Sequence, residues 1–190
     1  MKKLLIILLL LAVFIGQAWG VTCIRRGAEC TGDIGTTTYD SDNNTKTDYK
    51  GYVTEHSITC TGTLVSISAV LANVDTVASE YILVLYDDDG GSGEPGTLLA
   101  STTKDLDSGT DEDTFLTLTK TISESVTNGD TVWIGFFTED QGSRYRTLTG
   151  GTGRLVQLTE AEFLTPPDWG DIAATPTTST LDRVGWVSYD

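Results

Sequence analysis

Beyond residue 20 the chain has no amphipathic helical stretch of 12 or more residues. Short apolar runs alternate instead with turns rich in Gly, Asp, Asn and Pro. Many short strands joined in this way predict an antiparallel, all-β sandwich or barrel. Val65, Ile67, Ala69 and Leu71 alternate with Ser66, Ser68 and Val70, the period of a half-buried strand. Residues 80–86 (EYILVLY) are almost continuously apolar, which predicts a central strand covered on both sides. Residues 115–122, 131–138, 154–158 and 183–189 supply further strands, and residues 52–60 a less regular one. Asp89-Gly90-Gly91, Glu94-Pro95-Gly96, Asn128-Gly129-Asp130 and Thr149-Gly150-Gly151 are expected turns. Only residues 158–164 suggest a helical turn, with Thr159 as its cap. The 32 threonines fit this reading, because Thr packs well on a pleated surface.

The first twenty residues read differently. Lys2 and Lys3 precede an apolar run over residues 4–16, followed by Gln17-Ala18-Trp19-Gly20. This is the layout of a secretory signal peptide cut after Gly20. The run is too short to span a bilayer. The expected product is exported, is not embedded in a membrane, and acts outside the cell, in a periplasm or at a cell surface. Residues 21–50 are polar and read as an N-terminal arm or an extra edge strand, with a short strand candidate at 34–39. Residues 51–190 form the sandwich domain.

Export makes disulfides expected for Cys23, Cys30 and Cys60. A Cys30–Cys60 or a Cys23–Cys60 bridge would tie the N-terminal segment to the sandwich, whereas Cys23–Cys30 would close only a local loop. Longer loops constrain the unfolded chain more. One cysteine is left over in every case, free to join chains or to lie buried.

The formal net charge is −15, and loss of Lys2 and Lys3 would make it −17. Binding to nucleic acid needs the opposite sign, so none is expected.

Residues 86–100 (YDDDGGSGEPGTLLA) resemble the hairpin of jelly-roll modules in bacterial and phage extracellular proteins. Residues 62–71 are similar to the strand that precedes it, and 128–137 to the one that follows, so the likeness spans roughly residues 57–137. The resemblance implies a jelly-roll-like sandwich and a role in carbohydrate binding, adhesion or structure.

Asp40, Asp42, Asn44 and Asp48 stand at positions one, three, five and nine of a loop, the spacing that wraps calcium. Thr45 and Gly51 occupy positions six and twelve, so it is not the helical calcium loop. Asp87, Asp88, Asp89 and Glu94 make a second oxygen-rich turn. Calcium is the one cofactor suggested. Residues 43–45 also form an N-glycosylation sequon.

Aromatic rings stack on the apolar faces of sugars. Trp169, in a Pro/Asp/Gly loop, is the best candidate for an exposed platform, with a ring folded back onto the sandwich as the alternative, and Tyr145 between Arg144 and Arg146 is the next candidate. Trp133 lies in the most apolar strand and is expected in the core. A single histidine, His56, and no GxSxG or HExxH motif leave catalysis little support. The expected function is therefore non-catalytic recognition of a glycan or other surface ligand. The alternatives are a self-assembling subunit of a filament, coat or surface layer, and a glycoside-hydrolase-like enzyme with paired carboxylates.

Overall fold

A computed structural model describes residues 30–44, 48–72, 79–91, 93–107, 114–139 and 143–190; the proposed signal peptide and Cys23 lie outside them. Among the described residues there are twelve strands: β1 (Asp33–Thr36), β2 (Ser41–Asn44), β3 (Lys50–Ser57), β4 (Gly62–Ala72), β5 (Ser79–Asp87), β6 (Leu98–Ser101), β7 (Asp105–Asp107), β8 (Leu116–Val126), β9 (Thr131–Thr138), β10 (Arg144–Gln157), β11 (Thr177–Arg183) and β12 (Gly185–Tyr189). One helix, α1 (Glu160–Leu164), and a 3-10 turn (Trp169–Asp171) complete the fold. The sheet order is β1-β12-β4-β10-β3-β9-β5-β6, with β8 added to β4, β7 to β5, and β2 and β11 to β10. The strand pairs along that path and beside it are antiparallel, so the fold is all-β and sandwich-like.

Alternation explains the layers. Leu64, Ile67, Ala69 and Leu71 of β4, with Ile34 of β1 and Val187 of β12, face Tyr81, Leu83 and Leu85 of β5 and Val132, Ile134 and Phe136 of β9. The opposite face of β5 and β9 is buried as well. Ile82, Val84, Tyr86, Trp133 and Phe137 pack under a strap formed by Leu158, Phe163, Trp169 and Ile172. Strand β5 is thus covered on both sides, as its apolar run requires. The strap starts where expected: Thr159 and Glu162 form a reciprocal capping box at the head of α1.

Strand β10 is longer than its C-terminal apolar part suggests. Arg144 and Tyr145 pair with β4, and residues 153–157 pair with β3, so one strand serves both layers. The expected turn at Thr149-Gly150-Gly151 is a bulge within this strand, where the register against β11 shifts between Thr149 and Gly153. Gly150 takes φ 112°, a conformation that favours glycine, so the irregularity is absorbed without reversing the chain. The polar N-terminal segment is edge strand over 33–36, paired with β12, while 41–44 pair with β10.

Of the three pairings open to the cysteines, Cys30 and Cys60 are bonded, with their Cα atoms 5.8 Å apart. The bridge ties the chain before β1 to the turn between β3 and β4. Closing a loop of this length restricts the unfolded chain by roughly 3–4 kcal/mol in the chain-entropy model. Reduction, or Cys60→Ser, is expected to lower unfolding stability by about 3 kcal/mol. Denaturant titrations with and without reductant measure it, and coincident curves would contradict it.

Candidate functional site

The structure moves both aromatic candidates indoors. Trp169 is only 4% exposed and meets Tyr86 edge-on, with ring centroids 5.6 Å apart. Three hydrogen bonds fold its loop back onto the β5–β6 hairpin. Trp169 N donates to Gly96 O at 2.9 Å, Leu98 N to Asp168 Oδ1 at 2.7 Å, and Tyr86 Oη to Pro167 O at 3.0 Å. Trp169 is therefore not an exposed platform, although an open cleft of about 480 Å³ runs beside it, lined by Glu94, Pro95, Ile172 and Pro176. Tyr145 is 6% exposed and packs on Tyr52 and Phe136, at 4.7 and 5.5 Å between centroids. It points inward because its neighbours Arg144 and Arg146, one residue away on either side, take the outward face.

The expected cation loop is strand β2. Extended backbone sets alternate residues about 7 Å apart, which spreads ligands that would have to converge on one ion. Asp40 Oδ2 accepts from Thr149 N at 3.1 Å, and this bond, with that of the Thr149 hydroxyl, holds its carboxyl below the usual range. Asp42 faces Arg144 and Arg146 at 3.7 and 3.6 Å. Asp48 lies beyond residues 45–47, and its carbonyl accepts from Gln157 Nε2 at 2.6 Å. The Asn44 side chain falls outside the description. Among the described residues no three His, Cys, Asp or Glu side chains are grouped to hold a metal ion.

The second acidic turn is a set of clamps. Asp88 Oδ1 accepts from Trp133 Nε1 at 2.9 Å. Asp89 accepts from the amide and hydroxyl of Thr97, and those bonds lower its pKa. Glu94 pairs with Arg154 at 2.7 Å, and the same guanidinium lies 5.2 Å from the Trp133 ring centroid. These contacts fix the hairpin that the sequence motif encodes.

The tryptophan left partly outside is one that sequence reasoning passed over. Of the three tryptophans among the described residues, Trp133 and Trp169 are buried and Trp186 is half-buried. Val187 beside it points into the core, so Trp186 stands on the outer face of the layer β8-β4-β12-β1. Register sets Thr119, Ser68, Trp186 and Gly35 in one row across four strands, with Thr121, Ser66, Ser188 and Asp33 in the next. Ser68 and Thr119 share a hydroxyl hydrogen bond at 2.9 Å, and Ser188 Oγ donates to Asp33 Oδ1 at 2.6 Å. A Cβ at Gly35 would run into the Gly185 carbonyl and press on Trp186, so glycine is needed in that row. The period-two pattern of 185–189 carried this signal: a Trp between an inward Gly and an inward Val must face out.

The same face continues to a basic corner. Thr117 leads across Val70 and Val184 to Arg146 and Asp42. The Arg146 guanidinium lies 3.7 Å from the Tyr39 centroid and 4.4 Å from that of Phe115, and Arg144 lies 5.3 Å from Phe115. Tyr39 is 49% exposed. No protein-family model matches the chain, and no curated protein sequence matches it.

Two outcomes test these placements. Trp169→Ala removes a core side chain and is expected to cost about 3–5 kcal/mol of stability; an unchanged melting temperature would show the ring to be peripheral. His56 is mostly buried, its Nε2 has no hydrogen-bond partner, and burial lowers its pKa against a smaller opposing effect of Asp182. The unfolded chain therefore binds the proton more readily, so this contribution is complete above about pH 6.5 and is lost as pH falls below it. His56→Gln should flatten the stability profile between about pH 6.5 and 5, and a variant with the same slope as wild type would contradict it.

Proposed function

We propose that the protein is a secreted, non-catalytic β-sandwich that recognises a glycan across the outer face of β8-β4-β12-β1. The observation that carries the reading is Trp186, half-buried on that face, with the exposed Thr119 and Thr121 and the half-buried Ser66 and Ser188 in its own and the next row. An indole presents a flat apolar surface to the C–H side of a sugar ring. Hydroxyls that both donate and accept match sugar hydroxyls around it. The Cys30–Cys60 bridge and the signal-peptide-like start support an extracellular setting. So does the resemblance of the hairpin over residues 86–100 to jelly-roll modules of extracellular proteins, whose roles are carbohydrate-binding, adhesive or structural. Among the described residues no helix is long and apolar enough to cross a membrane.

Recognition is favoured over self-assembly by the use of the N-terminal segment. Residues 33–36 and 41–44 add strands to their own sheet, where an assembly arm would add them to a neighbour's. Two of the three cysteines also pair within the chain.

A glycan array followed by titration calorimetry tests the reading. Trp186→Ala is expected to weaken binding about tenfold or more while leaving the melting temperature nearly unchanged. An array with no bound glycan, or full binding by Trp186→Ala, would discard it.

A further inference from the structure

We infer that the glycan taken by this face is free of acidic groups and is read through a vicinal diol, two hydroxyls on adjacent ring carbons, by Asp33 and Ser188 beside Trp186. The inference rests on the recognition reading above and names the class of its ligand.

Register places the pair. Asp33 of β1 stands opposite Ser188 of β12, and Gly35 opposite Trp186. Ile34 and Val187 point into the core, so these four positions belong to the outer face. Trp186 and Asp33 lie on the diagonal of the square, roughly 7–8 Å apart. The corner between them on β1 is Gly35, so that strand puts no side chain between the indole and the carboxylate. A sugar ring resting on the indole extends its hydroxyls sideways from its rim, toward that space.

The bond between the two polar residues sets what they can take. Ser188 Oγ donates to Asp33 Oδ1 at 2.6 Å. The serine is thereby used as a donor, and its lone pairs remain as acceptors. Asp33 is exposed, and among the described residues nothing bonds its Oδ2. A carboxylate has about four acceptor sites and no donor, and one of them is filled here. The pair therefore offers acceptors side by side, the complement of two O–H donors on adjacent carbons.

Acidic ligand groups have the wrong chemistry for this pair. A uronate or sulfate brings only acceptors, and the same sign of charge as Asp33. In the two rows around Trp186 every other side chain is neutral, so Asp33 sets the local sign. The arginines of the neighbouring corner do not reverse it. Asp42 faces both, at 3.7 and 3.6 Å, Phe115 and Tyr39 stack on their guanidinia, and the Nε of Arg146 is buried. The excess of 27 acidic over 12 basic residues adds repulsion of the same sign.

The test puts the full chain on a glycan array that carries three matched kinds of probe. Oligosaccharides of 1,4-linked galactan, mannan and cellulose keep two adjacent free hydroxyls on each internal ring. Those of polygalacturonate and alginate keep the diol and add a carboxylate, and 1,3-linked laminarin has no vicinal diol on its internal rings. The glycans bound are expected to be non-acidic and to present a vicinal diol, about tenfold or more tighter than the uronates and laminarin. Asp33→Asn should weaken the strongest binder about tenfold and narrow its lead over the uronates, with the melting temperature unchanged. Trp186→Ala should weaken every probe. The comparison of probes uses the wild-type protein, so it stands even where Asp33→Asn fails to fold. Binding led by uronates or by laminarin, or a folded Asp33→Asn that binds as wild type does, would overturn the assignment and leave glycan recognition intact. An array with nothing bound discards the recognition reading, and this inference with it.

Discussion

Burial of strands β5 and β9 on both faces is the constraint on which the rest of the molecule depends. One face is closed by the layer β8-β4-β12-β1 and the other by the strap that carries α1, Trp169 and Ile172. A sheet so covered has room for large side chains on either side, and it takes in Tyr81, Tyr86, Trp133, Phe136, Phe137 and Phe163, each essentially inaccessible. The strap has to lie flat on β5 to do this. Its loop is accordingly pinned by the Trp169 and Leu98 amides and the Tyr86 hydroxyl. A tryptophan in a loop is thereby turned into core, while Trp186 on the outer side of the layer β8-β4-β12-β1 keeps part of its surface.

The acidic character acquires a structural meaning from the same frame. Asp88, Asp89, Glu94 and Asp168 each accept from a specific partner around the hairpin and strap, and Asp42 braces two arginines. These carboxylates serve as hydrogen-bond acceptors that hold loops in place, a role that explains why they cluster in turns. Positive charge is scarce, so the places where it is fixed stand out. Arg154 secures the hairpin and Arg183 is buried against Tyr52. Arg144 and Arg146 are partly buried on the outer face, stacked against Phe115 and Tyr39.

The strands that could be read from the sequence are those whose own residues repay burial. Strand β9 runs over Thr131–Thr138, as its apolar run indicates, and β4 and β5 follow their alternation and continuity. The Thr159 cap was also legible, because its chemistry is local, and the structure adds the reciprocal bond from Glu162. Strands β2, β7 and β11 were not, and β6 was legible only through the resemblance of residues 86–100 to a hairpin. SDNN, LLAS, DLD and TTSTLDR become extended through pairing with longer neighbours, a tertiary effect that no window of their own sequence contains. The glycines at 150 and 151 read as a turn and form a bulge, because β11 pairs with the strand on either side of them. The loop composition around Trp169 left both an exposed and a folded-back ring open for a similar reason: Pro and Gly say where a chain bends, and contacts across the fold decide which way the ring then points. Trp186 could have been placed outward from Val187 alone.

The account turns on Trp186 being the tryptophan that meets the ligand, and acrylamide quenching of tryptophan fluorescence reads this directly. In wild type the readily quenched component should vanish with Trp186→Phe, persist with Trp169→Phe, and be shielded when a bound polysaccharide is present. A bound polysaccharide that leaves Trp186 as quenchable as in the free protein would contradict the assignment of this face as the recognition surface.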